Sequence, residues 1–222
     1  MCEHVRVMPR LRKGLRHTRR RRTPEVAQLE LLDAAERVFA TAHPDHVGLK
    51  EIAREAGTSH ALITHYFGTY GGLIEAALDR RVRALRERIF ERLRLANALE
   101  RPEELIDILF AALEDPVHLR LVKWLVAGER PTAAHAFALQ NRGLQLVAQQ
   151  VADAIDPKAS PAFRERLELT LLTAVSTAFG YAVCKHALVG GLGRDVSPEL
   201  DAGVRKTLAG MIQAYVREAL PT

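Results

Sequence analysis

Four residues at the start of the segment HALITHYF, His60, Ala61, Thr64 and His65, have the spacing and chemistry to meet a partner directly. Two imidazoles and a hydroxyl can give or take hydrogen bonds and a methyl can make an apolar contact, the kinds of contact that read base edges. If His60 to Phe67 is a helix, Leu62, Ile63, Tyr66 and Phe67 form its inward side and leave those four residues facing away from the core. The preceding segment, LKEIAREAG, places Leu49, Ile52, Ala53 and Ala56 on a narrow apolar stripe, with Lys50, Glu51, Arg54 and Glu55 facing out. Gly57 ends this first helix, because glycine tolerates the left-handed backbone that reverses the chain, and Ser59 offers a capping hydroxyl to the second. Two short helices around a glycine turn predict a helix-turn-helix, in which the first helix braces the second and the second enters the major groove.

The surrounding residues carry a resemblance. Leu32-Asp33-Ala34-Ala35 with Val38-Phe39, then Ile52-Ala53 with Ala56-Gly57-Thr58-Ser59, then Ile63, Tyr66-Phe67 and Leu73, resemble the N-terminal DNA-binding domain of TetR-type transcriptional regulators over about residues 24 to 78. The resemblance implies an all-α homodimer: a three-helix DNA-binding domain, then a larger helical body that binds a small-molecule effector and makes the dimer contact. It also implies base-reading positions at Lys50, His60, Ala61, Thr64 and His65, and phosphate contacts at Tyr66, Thr69 and Tyr70. The chain departs from the family pattern twice. Val47-Gly48 stands where a Thr or Ser usually begins the first helix of the motif, and Tyr70 with Gly71-Gly72 stands where a lysine is common. A tyrosine hydroxyl bonds a phosphate but carries no charge, so counterion release is missing there.

Charge divides the chain more sharply than its net value of +5 suggests. Residues 1–23 hold nine basic residues against one acid, whereas residues 24–80 hold four basic residues against nine acids. The domain is therefore acidic in its own right, and the basic arm, with Arg19, Arg20, Arg21 and Arg22 in one run, is expected to supply much of the attraction to DNA. Met8 is an alternative start within that arm. The organisation expected is an arm over 1–23, a helix-turn-helix domain over 24–80, and an effector-binding and dimerisation domain over 81–222.

A composition of 48% hydrophobic and 27% charged residues describes a soluble globular protein with room for a proper core. Two cysteines, Cys2 and Cys184, are too few and too far apart for a disulfide framework or a zinc cluster, which suits a reducing cytoplasm. No apolar run follows the basic N-terminus, so no signal peptide is expected. Thr23-Pro24-Glu25 opens a first helix to about Thr41 with Leu31, Ala34, Ala35, Val38 and Phe39 on one face. Thr69 caps a long helix from about Tyr70 to Leu99, on the order of 45 Å at about 1.5 Å per residue. Its stripe of Leu78, Val82, Leu85, Ile89, Leu93 and Ala96 steps by threes and fours, leaving Arg83, Glu87, Arg88, Glu91, Arg92 and Arg94 mostly on a solvated, mixed-charge outer face. Further helices are expected from Pro102 to Glu114, with Leu105, Ile108, Leu109, Ala112 and Leu113 inward, from Pro116 through Trp124 to the break at Gly128, and from Thr132 to Ile155. The last two start at Pro161 and Pro198 and end near Val189 and Leu220.

Between Leu167 and Val189 nearly every face is apolar, so that helix needs cover on two sides. Ala174, Ala178 and Ala182 repeat every four residues and form a smooth stripe, where the dimer contact is expected. A membrane span is not expected, because Glu168, Lys185 and His186 confine the uncharged run to 16 residues, short of the roughly 20 that a bilayer requires. Phe110, His118, Trp124, His135, Phe137, Tyr181, Cys184 and Tyr215 are the aromatic or polar residues in otherwise apolar helices and are the candidates for contact with a small, apolar effector.

Catalysis finds little support: there is no P-loop, dinucleotide fingerprint or nucleophile elbow, and Ser59, Ser160 and Ser197 read as helix caps. His60 and His65 lie about 140° apart around a helix and cannot share a metal. His43, Asp45 and His46 fall in a loop, but no metal or cofactor is expected. The function expected is a ligand-responsive repressor that binds a palindromic operator in double-stranded DNA as a homodimer. An architectural DNA binder without an effector, or a helical carrier of small molecules, is the alternative. If the arm meets about five phosphates, deleting residues 1–22 should flatten the slope of log K against log salt by about 4 to 5 units. An unchanged slope in a salt titration of DNA affinity would remove the arm from the interface.

Overall fold

Thr23 accepts a hydrogen bond from the Val26 N–H at 3.4 Å, and Pro24 follows in the first turn, so α1 (Pro24–Thr41) begins where the cap and the fixed proline φ place it. The structure, a computed structural model, describes residues 23–95, 101–127 and 131–217, with the side chains of 127–142 outside the description. After a 3-10 turn at Pro44–His46 come α2 (Leu49–Glu55), α3 (His60–Phe67), α4 (Tyr70–Leu93), α5 (Pro102–Glu114), α6 (Pro116–Ala127), α7 (Pro131–Ile155), α8 (Pro161–Gly191) and α9 (Pro198–Arg217). Among the described residues no strand occurs. Six of these helices open on proline, which is tolerated only where no intrahelical N–H is needed, so the breaks in the chain were marked in advance. Side-chain caps reinforce them: Asp115 accepts from the N–H groups of Val117 and His118, Ser160 from Phe163, and Ser197 from Leu200.

The N-terminal helices do not close a core by themselves. Phe39 from α1, Ile52 from α2, Ile63 from α3 and Leu73, Ile74 and Leu78 from α4 are fully buried, and Leu121 and Leu125 from α6 complete the same cluster. Two further contacts fasten α6 to it. Trp124 meets the Tyr70 ring edge-on with centroids 5.8 Å apart. Arg120 donates to the carbonyl oxygens of Phe39 and Ala40 at 2.6 and 2.8 Å, satisfying acceptors that the end of α1 leaves unpaired.

The body has its own core where α5, α8 and α9 meet: Ile106, Phe110 and Leu113 against Ala174, Ala178, Leu208 and Ala209. The inward residues of α5 are thus Ile106, Phe110 and Leu113, with the expected Leu105, Ile108, Leu109 and Ala112 only half-buried, a rotation of less than one residue step. This core also corrects the expectation for the alanine stripe. Ala174 is 4% exposed, Ala178 0%, and Ala182 packs beside them, so the stripe is used within the protomer to let α5 and α9 come close. The opposite face of α8 is bare, with Leu169, Leu172 and Val183 exposed; Leu188, nearer the end of the helix, and Met211 and Tyr215 on α9 are exposed as well. Only 17% of the most apolar 18-residue stretch of α8 is buried, and by length and composition alone this helix could cross a membrane.

Two departures concern α4. It ends at Leu93 rather than Leu99, a length of about 36 Å, with residues 96–100 outside the described residues. Arg92, expected on its solvated face, is 7% exposed and pairs through Nε with Glu104 at 2.5 Å. Hydrogen bonds from Arg92 and then Arg101 hold the Glu104 carboxyl below its usual range.

At the corner from α3 to α4, Gly68 has φ 70°, and a Cβ on Gly72 would lie 2.2 Å from the carbonyl oxygen of Phe67. Gly72→Ala is therefore expected to cost about 2 kcal/mol or more in urea unfolding, since the clash is with backbone and cannot be relieved by a rotamer change. An unchanged midpoint would refute the close approach.

Candidate nucleic-acid interface

The geometry of α3 follows from how each end of the turn before it is satisfied. Gly57 sits at φ 61°, its N–H bonds the Arg54 carbonyl at 3.2 Å, and the Thr58 N–H reaches back to Ala53 at 2.9 Å. This double closure ends α2 and sends the chain back at a fixed angle. Ser59 then accepts from the Leu62 N–H at 3.2 Å and starts α3. At the other end of α2, Gly48 has no side chain to cap with, and Glu51 compensates by accepting the Gly48 N–H at 2.9 Å. Backbone N–H groups, its own and that of Gly48, hold the Glu51 carboxyl below its ordinary value.

Ile63 alone is fully buried on α3, and it pins the helix to the core. His60, Ala61, Thr64 and His65 are exposed on the far side, and Lys50 on α2 is exposed too, so the structure leaves all five base-reading candidates free to be approached. Thr64 donates its hydroxyl hydrogen to the His60 carbonyl at 3.2 Å, leaving its methyl and its oxygen lone pairs for a partner. The His65 ring meets Tyr66 edge-on at 5.3 Å. Tyr66 is half-buried, and its hydroxyl makes no hydrogen bond among the described residues. Thr69 is exposed and caps α4 by accepting from the Gly72 N–H at 3.0 Å.

Two residues are placed differently from the sequence reading. Leu62, expected inward, is 36% exposed and adds an apolar side chain beside Ala61. Tyr70, expected at phosphate, points inward: its hydroxyl donates to the Pro44 carbonyl at 2.6 Å and its ring packs between Phe39 and Trp124. Tyr70 is a brace, and nothing local could have signalled it, because its partners lie 26, 31 and 54 residues away in the chain. The loop histidine His43 takes the Asp45 N–H on Nδ1, which makes it a cap for the 3-10 turn.

No acid occurs on α3, Glu55 of α2 is paired with Arg37 at 2.6 Å, and Asp33 and Glu36 of α1 are held by Arg80 and Arg81. Arg19, Arg20, Arg21 and Arg22 lie outside the described residues.

The six effector candidates whose side chains are described are not gathered at one place. Phe110 and Tyr181 touch, with centroids 6.2 Å apart, and the Tyr181 hydroxyl donates to Asp201 at 2.6 Å. Burial, then that bond and the Asp201 charge, push the Tyr181 hydroxyl up to about 12. Trp124 belongs to the core around Tyr70, Cys184 is exposed, and Tyr215 is exposed beneath the Arg166 guanidinium at 4.7 Å. His118 is buried beside Arg81, and burial followed by that cation lowers it to about 4. The side chains of His135 and Phe137 lie outside the described residues.

Residues 31–77 match the family model described as bacterial regulatory proteins, tetR family. An uncharacterized HTH-type transcriptional regulator of Mycobacterium tuberculosis is 38% identical over 85 residues, 38% of this chain and 41% of that protein, so the match spans about two-fifths of the curated relative. A tetR-family transcriptional regulator from Streptomyces coelicolor superposes with TM-score 0.56 at 23% identity, covering 87% of this chain and 88% of that one. NalD, described as the secondary repressor of the MexAB-OprM multidrug efflux pump in Pseudomonas aeruginosa, superposes with TM-score 0.53 at 18% identity over 85% and 94% of the two chains. These likenesses show a shared fold over most of the length.

His60→Ala or Thr64→Ala should relax base preference by about 1 to 3 kcal/mol at one position of the bound site, measured with single-base variants of the DNA. Equal weakening on every sequence would mean that these residues touch only backbone.

Proposed function

We propose, from the match of residues 31–77 to the tetR family of bacterial regulatory proteins, that the chain is a cytoplasmic, ligand-responsive transcriptional repressor of that family acting on a palindromic operator. The observation that carries this reading is the outward face of α3. Its two imidazoles, two small side chains and exposed leucine stand on a helix that carries no acid and is too short to hold any orientation but the one its core imposes.

The bare face of α8 and α9 supports the dimer. Leu169 and Leu172 are each more than half exposed and Met211 is 66% exposed, an apolar surface that an isolated protomer in water would not keep. Covering it with the same face of a second copy makes a two-fold contact and sets two α3 helices apart by a fixed distance, about 34 Å for half-sites one turn of duplex apart. The repressor acts by a population shift: the effector-free dimer fits the half-site spacing, and a small apolar effector in the body favours a spacing that does not fit. The size of that response is limited by the difference in ligand affinity between the two states.

Selection of bound fragments from genomic DNA by the purified protein tests the reading. The expected outcome is a palindrome, bound by a dimer. Joint replacement Leu172→Glu and Met211→Glu should yield a monomer in sedimentation and weaken binding to the full palindrome far more than to a half-site. Sequence-independent coating of DNA, or a wild-type protein that sediments as a monomer on its palindrome, would overturn the proposal.

A further inference from the structure

A cleft of about 300 Å³ lies where α1, α4, α5 and the start of α6 meet, apart from both the reading face and the exposed face of α8. Three arginines of α4 line it, and they are not equivalent. Arg80 is matched by Asp33 and Glu36, and Arg81 bridges Glu36 on α1 to Asp115 at the α5–α6 corner. Arg88 is exposed and makes no ion pair or hydrogen bond among the described residues. The acids of the cleft thus gather at one end and leave one uncompensated cation at the other. Arg81 and Arg88, seven residues apart, lie on one face of α4 about 10 Å apart along its axis. Between them the wall is apolar, formed by Ala84 and Leu85 with Ala112 opposite. The closed end is His118, buried and kept neutral by its surroundings, so that end suits an uncharged group.

We propose that this cleft is a binding site for a small monocarboxylate with a short apolar tail, the carboxylate on Arg88 and the tail along Ala84 and Leu85 toward His118. One free guanidinium favours a monoanion over a dianion, since Arg80 and Arg81 already have carboxylate partners. Its planar fork takes a carboxylate through two parallel hydrogen bonds. The cleft's volume is at the small end for ligand sites, which limits the tail to a few carbons. Because Arg81 ties α1 to the α5–α6 corner beside the tail, an occupant acts on the joint between the DNA-reading helices and the body. Of the eight effector candidates the cleft takes in only His118, and its test requires no operator.

The experiment is calorimetric titration of the full chain with hexanoate and, separately, with hexanol. Saturable hexanoate binding is expected, weakened about tenfold or more in Arg88→Gln, the loss typical of a charge-assisted hydrogen bond. Arg83→Gln, which alters an arginine of α4 outside the cleft, should bind as the wild type does. Hexanol should bind the wild type about tenfold or more weakly than hexanoate, a comparison that stands even if a variant fails to fold. Absence of saturable hexanoate binding, equal affinity in Arg88→Gln, or equal affinity for hexanol would each overturn the assignment.

Discussion

A helix of eight residues has no stability of its own in water, because nucleation is costly and there are too few hydrogen bonds to offset it. The function proposed for α3 therefore depends on one constraint: Ile63 must be buried deeply enough to hold little more than two turns of helix in place. Leu73 and Ile74 from α4, Ile52 from α2 and Phe39 from α1 supply that burial. The caps decide the rest. Ser59 fixes the start, the Gly57 turn fixes the angle to α2, and Gly72 lets the start of α4 pass so close to Phe67 that no larger residue fits. With both ends and the middle fixed, the four outward side chains have little freedom beyond their own rotamers, the condition for discriminating between bases.

This core also changes how a signal can travel. A long α4 running from the reading helix into the body suggests a single lever, but α6 enters the same core through Leu121, Trp124 and Leu125. Arg120 holds the end of α1, and Tyr70 joins the loop at Pro44 to Trp124, so the N-terminal head, α1 to α3, is fastened to the body along two helices. A displacement of α6 alone would pull at Tyr70 and at the carbonyls of α1. The head must then follow α4 and α6 together or give up part of its own core, which favours rigid-body rotation of the head over bending within it.

Most element boundaries were legible because they rest on local chemistry: six prolines in first turns, serine and threonine caps, and a glycine with positive φ. The outward residues of α3 were legible for the same reason, since periodicity alone turns them from the core. What escaped was non-local. Tyr70 looked like a surface residue because it opens a helix beside two glycines, and only the fold brings Pro44, Phe39 and Trp124 around it. The alanine stripe of α8 was correctly read as a place for close helix approach. Sequence could not say whether the neighbour comes from the same chain or another, and α5 and α9 take the place first. Arg92 was assigned to solvent because its burial depends on Glu104, beyond the end of its own helix.

The division of charge gives the interface its logic. Phosphate contacts position a protein on DNA and base contacts specify where it stops. In this chain the arginine run before residue 23 and the neutral, hydrogen-bonding face of α3 are separate parts of the sequence. The domain over residues 24–80, which contains that face, carries nine acids, a composition that would repel DNA if the charges were spread evenly. They are not: Asp33, Glu36 and Glu55 are held by arginines of a neighbouring helix, Asp79 by Arg83 of its own, and Glu51 by the Gly48 N–H. Acids so committed keep the folded domain from binding phosphate indiscriminately, while leaving the short reading helix unopposed. The weak intrinsic attraction of the head then makes the correct base contacts a larger share of its total affinity, and specificity depends on that share.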